Sequence, residues 1–270
     1  MHPFAIVMIV LAACIWIILI FYQRKKKPSV PAVFPDSYRY ILAEQVPFFR
    51  QLNSEKKKEF ETRMLGFLSN VHITGVKTIV EETDRVLIAA SAIIPIFGFP
   101  GWEYNNLNEV LLYPDSFGDE FEQEGPHRNT LGMVGTGAFN HVMILSQREL
   151  RTAFLNEDGR TNTAIHEFVH LVDKTDGSID GIPEYFMHRK YVLPWLDLMQ
   201  KKIHEIMANN SDINPYGATN EAEFFAVASE YFFERPDLLQ SKHPELYELL
   251  SAIFNQKHSM HDSQSVFTTA

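Results

Sequence analysis

Two histidines four residues apart, with a glutamate directly after the first, stand at His166-Glu167-Phe168-Val169-His170. On a helix, positions i and i+4 are about 40° apart, so both imidazoles can face one ion while Glu167 flanks it. This is the H-E-x-x-H arrangement. Two imidazoles and a third protein group hold zinc and leave a position for water, whose proton the glutamate takes and can pass to a leaving amine. The surrounding Thr163, Ala164, Phe168, Val169, Leu171 and Val172 are uncharged. The segment from Asn162 to Lys174 therefore reads as a buried helix on which the motif supplies the polar groups. The competing reading is a pair of core histidines satisfied by hydrogen bonds; a helix of that kind normally keeps a charged solvent face, and Ile165 to Val172 offers none beyond the motif.

The third ligand has several candidates. Cys14 is the only cysteine, so the metal must be held by His, Asp or Glu, and no intrachain disulfide can form. A ligand at Asp176 would complete the short-spaced H-E-x-x-H-x-x-G-x-x-H/D pattern, but Asp173 stands where that pattern has a chain-reversing glycine, and Asp176-Gly177 reads better as a turn. A second helix, Asn220 to Glu234, carries Glu221, Glu223, Glu230 and Glu234. Glu223 shares a face with Ala226 and Val227, where a small residue leaves room for the motif helix. It equally completes an N-x-x-E capping box with Asn220, and spacing does not separate the two roles. Glu230, two turns on, is placed to hydrogen-bond a ligand histidine or to cap buried polar groups.

The elements that must position these residues follow from periodicity and breakers. Apolar spacing at Phe60, Met64, Leu65, Phe67 and Leu68 predicts an amphipathic helix after Ser54, and a mostly buried one fits Asp84 to Ile96. Val110 to Tyr113 and His141 to Leu145 read as strands, the latter as the candidate edge strand for an extended substrate. Gly132 to Gly137, with three glycines and no phosphate-loop lysine, reads as a flexible lip or turn. Further helices fit Pro194 to Ala208 and Pro244 to Phe254.

Of the 270 residues, 46% are hydrophobic, enough for one sizeable core, and the net charge is −10. Every acidic residue follows Pro35 while Arg24, Lys25, Lys26 and Lys27 precede it, so the folded part is more acidic still and direct nucleic-acid binding is not expected. The uncharged run Phe4 to Tyr22 would reach about 28 Å as a helix, which matches a bilayer core. With the basic cluster after it, the positive-inside rule predicts a single-pass anchor and a cytoplasmic catalytic domain at a bacterial inner membrane. Leu11-Ala12-Ala13-Cys14 resembles a lipoprotein box, but the run stays apolar beyond the cysteine. The expected organisation is an anchor helix over 1–23, a basic and proline-rich linker over 24–37, one domain over 38–256 and a tail over 257–270.

His166 to Asp173, together with Tyr216-Gly217-Ala218-Thr219-Asn220-Glu221-Ala222-Glu223-Phe224-Phe225-Ala226-Val227-Ala228-Ser229-Glu230-Tyr231-Phe232-Phe233 and the strand Glu109 to Pro114, resembles the Mlc titration factor family of glucose-regulated zinc metallopeptidases. The resemblance runs from about Tyr38 to Phe254. It implies an α+β, mostly helical, zincin-like domain with a small mixed sheet, similar in its catalytic core to anthrax lethal factor. It also implies one zinc per chain on His166, His170 and Glu223, Glu167 as the catalytic glutamate, and Tyr216 as an active-site tyrosine able to donate to a developing oxyanion. The implied substrate is a peptide or protein, cleaved in gluzincin fashion, with the family suggesting an aminopeptidase. A protein that sequesters a regulator, with little peptidase activity, is the alternative. The membrane helix departs from the soluble family pattern, and no repressor-binding surface is identifiable in the sequence.

Overall fold

The computed structural model describes residues 33–116, 132–134, 141–155 and 161–256. The expected anchor over 1–23, most of the linker and the tail lie outside these residues. Among the described residues no helix is long and apolar enough to cross a membrane.

The chain enters through Pro35 into α1 (Asp36–Gln45), followed by α2 (Pro47–Gln51) and α3 (Ser54–Asn70). Phe34 is buried with its ring edge-on to Tyr38 at 5.7 Å, so the packed core begins ahead of the expected boundary. Asn53, rather than Ser54, caps α3 by accepting from the Lys56 N–H. Phe60, Met64, Phe67 and Leu68 form the buried stripe of α3, as their spacing predicts. Next come β1 (His72–Gly75), α4 (Glu82–Ile96), β2 (Glu109–Tyr113), β3 (Gly132–Val134) and β4 (Val142–Ser146). α4 opens with a reciprocal capping box between Glu81 and Asp84. The remaining elements are α5 (Gln147–Leu155), α6 (Thr163–Asp173), α7 (Arg189–Met207), α8 (Glu221–Glu234), α9 (Pro236–Lys242) and α10 (Pro244–Ile253). Single 3₁₀ turns occupy Lys174–Asp176 and Pro215–Ala218.

α7 starts at Arg189, ahead of the expected start at Pro194. Proline favours the first helical position, yet it is tolerated here in the second turn, where it forgoes one backbone hydrogen bond.

The sheet order is β1-β2-β4-β3, with β1, β2 and β4 parallel and β3 antiparallel to β4. The protein is thus mostly helical with a small mixed sheet, and α4 provides the crossover that a parallel β1–β2 pair requires. Two expectations change. The strand expected as the sheet edge is β4, which lies inside the sheet between β2 and β3. Gly132-Met133-Val134, expected as part of a lip, instead pairs with β4, Met133 opposite Ile144, and ends the sheet among the described residues. Glycine content argues locally for a turn; only the ladder to a distant strand reveals this one.

α6 lies in the middle of the molecule, packed against α4 and α8 and bordered by β3 and β4. Phe168, fully buried, meets the rings of Phe67 at 5.7 Å and Tyr104 at 5.2 Å. Truncating such a phenylalanine to alanine costs about 3–5 kcal/mol. At the far end of α4 the buried Asp84 carboxylate accepts from Arg151 at 2.7 and 2.9 Å, from Gln147 Nε2 at 2.7 Å and from the Glu81 N–H at 2.8 Å. Those donors make a buried charge tolerable and fasten α5 to α4.

Candidate metal centre

α6 begins at Asn162, whose side chain accepts from the Ile165 N–H at 3.1 Å. Ala164, Ile165, Phe168, Val169, Leu171 and Val172 go into the core, and His166, Glu167 and His170 are buried polar groups beside them. α8 starts in the same manner, with the Asn220 side chain accepting from the Glu223 N–H at 2.9 Å. Asn220 is therefore an N-cap, as one reading of N-x-x-E predicts, but the Glu223 carboxylate turns to the histidines. Its Oε2 lies 2.9 Å from His166 Nε2 and 3.5 Å from His170 Nε2. The two Nε2 atoms are 3.1 Å apart.

The structure thus brings together the three residues singled out as ligands. One ligand atom from each of His166, His170 and Glu223 falls within 4.8 Å of the other two. Zinc ligands at tetrahedral corners lie about 3.3–3.5 Å from one another. The observed spacings bracket that value and need only a slight opening.

The donor chemistry points to a cation. Glu230 Oε1 sits 2.7 Å from His166 Nδ1, which makes Nδ1 the protonated nitrogen of a neutral ring. Nε2 then turns a lone pair on the Glu223 carboxylate, a repulsive contact unless a positive charge stands between them. A proton on His166 can meet this need. Burial opposes charge on His166, but hydrogen bonds to Glu223 and Glu230 outweigh it and push its pKa up to about 10. Burial likewise opposes charge on Glu223, yet the two histidines bring its pKa down to about 2. A metal ion meets the same need with three ligands at once.

Glu230 has a second task. Its Oε2 accepts the backbone N–H of Asn162 at 2.6 Å, so one carboxylate fixes the His166 ring and caps the start of the helix that carries it. Both roles foreseen for Glu230 are therefore filled. His170 has no counterpart, since its Nδ1 is buried without a hydrogen-bond partner among the described residues.

Glu167 is buried beside the histidines, and its pKa is raised chiefly by that burial and further by the Glu223 and Glu230 charges, with the histidines opposing. Tyr216 stands on the Pro215–Ala218 turn, with its N–H donated to the Asn214 side chain at 3.0 Å. Its ring centroid is 6.0 Å from that of His166, and the residue is 53% exposed. Burial first, then Glu223 and Glu167, raises its pKa and keeps the phenol a donor at neutral pH.

Asp176 stays out of this group. Its Oδ1 accepts from the N–H and hydroxyl of Ser178, and Gly177 beside it takes the left-handed conformation, as a turn requires. Glu234 is directed to Asn162, whose Nδ2 donates to it at 2.8 Å. Glu234, one of the four glutamates considered as third ligand, thus serves Asn162 instead, and Asp173 has a task that the spacing does not suggest: its Oδ2 accepts the Gly181 N–H at 2.7 Å. The one signal in the sequence is Asp173 itself, the only charged residue of α6 outside the H-E-x-x-H motif.

A buried pair of histidines and a glutamate from a second helix, with a further carboxylate and a tyrosine beside them, is a site that metallopeptidases build. A family model for glucose-regulated metallo-peptidase M90 matches residues 21–255, and the chain belongs to that family. It is 29% identical to an uncharacterized protein of Synechocystis sp., over 93% of this chain and 96% of that one. Proteins called Mlc titration factor A are also similar. The one from Pectobacterium atrosepticum is 24% identical over 78% of this chain and 83% of its own length. The one from Escherichia coli O17:K52:H18 is 26% identical over 83% and 90%.

Proposed function

We propose that the chain is a zinc-dependent peptidase in which His166, His170 and Glu223 hold one metal ion and Glu167 is the general base. The observation that carries this reading is the convergence of three ligand atoms within 4.8 Å beside a buried glutamate. A bound zinc ion supplies Lewis acidity, lowering the pKa of a water and polarising a peptide carbonyl. Glu167 takes the proton of the attacking water and delivers it to the amine that leaves. Its burial beside the two histidines places the carboxylate next to the proposed ion rather than in bulk water. The Tyr216 hydroxyl donates to the carbonyl oxygen as negative charge develops there. Glu230 keeps the His166 ring in the tautomer that leaves Nε2 free for the ion.

An extended peptide would add to the sheet along β3, which borders α6. Peptide bonds are the substrate class, and the resemblance to the family favours removal of amino-terminal residues. The uncharged run Phe4 to Tyr22 and the basic residues after it support tethering to a membrane with the catalytic domain on the cytoplasmic side. Digestion of the carboxy-terminal end by protease added to intact cells would contradict that placement.

Glu167→Gln tests the chemistry. The variant should bind zinc as the wild type does and lose peptide hydrolysis by about 10²–10⁴-fold; hydrolysis at the wild-type rate would remove Glu167 from the mechanism and this reading with it. The name Mlc titration factor A on several relatives supports a second reading, capture of a protein regulator. Binding of a regulator would survive Glu167→Gln, so the same variant separates the two.

A further inference from the structure

Gly181 brings backbone close to both of the helices that carry the proposed ligands. Gly181, in the segment joining α6 to α7, is buried and has φ +78°. Its N–H donates to Oδ2 of Asp173, the last residue of α6, at 2.7 Å. Its carbonyl accepts from Nε1 of Trp195, a fully buried side chain of α7, at 2.7 Å. A Cβ at this position would lie 2.4 Å from the carbonyl oxygen of Glu221, the first residue of α8, and 2.7 Å from its carbonyl carbon. Gly181 therefore touches the end of the helix that bears His166 and His170. It also touches the start of the helix that bears Glu223, two residues beyond Glu221.

We infer that Gly181 is a positioning residue for the metal centre: its bare Cα sets how closely the first turn of α8 approaches the end of α6, and so where Glu223 stands relative to the histidines. The inference rests on the metal reading above. The obstruction is backbone, which no change of rotamer relieves. A methyl group at 181 meets it in a left-handed conformation that L side chains already disfavour. Restoring van der Waals separation requires a shift of roughly 1 Å in either the Gly181 loop or the first α8 turn. A carboxylate whose oxygen stands 2.9 Å and 3.5 Å from two histidine nitrogens has no such slack. The Asp173 and Trp195 bonds resist movement of the loop, which leaves α8 as the side that gives.

Gly177 provides the comparison. It too has positive φ, +106°, but a Cβ there would meet nothing within 4 Å. Gly177→Ala therefore carries the backbone penalty without the obstruction. The experiment is zinc affinity by competition with a chromophoric chelator, with the melting temperature of the metal-free protein measured alongside. Gly181→Ala should weaken zinc binding by about 10–100-fold, the range seen when the support of a ligand is lost. Gly177→Ala should lower the melting temperature and leave zinc affinity within about twofold of wild type. Should Gly181→Ala fail to fold, Trp195→Phe removes the donor to the Gly181 carbonyl while keeping an aromatic in the core, and should weaken zinc several-fold. Wild-type affinity in a folded Gly181→Ala, or in Trp195→Phe when the former does not fold, overturns the inference and leaves the peptidase reading standing. Equal losses in the two glycine variants also overturn it, by reducing the effect to general destabilisation. A wild-type chain that binds no zinc defeats the metal reading and this inference together.

Discussion

Glu230 holds His166 through a 2.7 Å contact at Nδ1, and its other oxygen accepts the backbone N–H that opens the histidine's own helix. Ring orientation and helix start are thereby fixed by the same carboxylate. In Glu230→Gln the amide cannot satisfy both donors, because its NH₂ would face either the His166 N–H or the Asn162 N–H. Zinc affinity should fall by about 10–100-fold. Glu223→Ala, which removes the proposed third ligand, should fall further. Chelator competition on the pair checks the order, and a reversed order would transfer the ligand role to Glu230.

Tyr216 stands on the turn before α8, outside both helices that carry the proposed ligands, with its ring 6.0 Å from that of His166. Tyr216→Phe should lower kcat for a peptide substrate by about 10²–10³-fold, the cost of losing one oxyanion donor. KM and zinc affinity should change little. An unchanged kcat would return Tyr216 to the status of a surface aromatic.

What the sequence could disclose about this site depended on how local the determining contacts are. His166, Glu167 and His170 share one helix, so a 3.6-residue period is enough to put them on a common face. Glu223 is harder, because Asn220 to Glu223 is a helix-start pattern in its own right and Asn220 does act as the cap. Only the packing of α8 on α6 decides where the carboxylate goes. The misread elements obey the same rule. Gly132 to Val134 becomes a strand through a ladder to β4, a partner the local glycines give no sign of. Pro194 suggested a helix start because it suits one, while the true start depends on what precedes it. The anchor over 1–23 rests on hydropathy and charge order in the sequence.

Zinc should stabilise the fold through linkage, because the ligand set spans two helices that unfolding separates. At free zinc about 100 times Kd the gain is about 2.7 kcal/mol, or a rise of roughly 5–10 °C in melting temperature for a domain of this size. A strong chelator should abolish the rise. Glu223→Ala should show a much smaller one in the same titration, and a full zinc-dependent shift in that variant would exclude Glu223 from the ligand set.

Glu234 supplies a pH dependence of stability distinct from metal loading. Burial, more than the Asn162 contact can offset, and the nearby Glu230 charge raise its pKa to about 7. An unfolded glutamate titrates near 4.3. Below that value both states hold the proton and the group contributes nothing to the pH dependence. Between about 4.3 and 7 the unfolded chain releases the proton while the folded one keeps it, so stability declines as pH rises; above 7 the penalty is complete and constant. Glu234→Gln keeps an acceptor for Asn162 Nδ2 and removes the ionisation. In metal-free protein it should raise the melting temperature by a few degrees at pH 8 and leave it unchanged near pH 4. Thermal melts of the two proteins across that range measure the difference, and a gain of equal size at both ends would show that the effect is packing rather than charge.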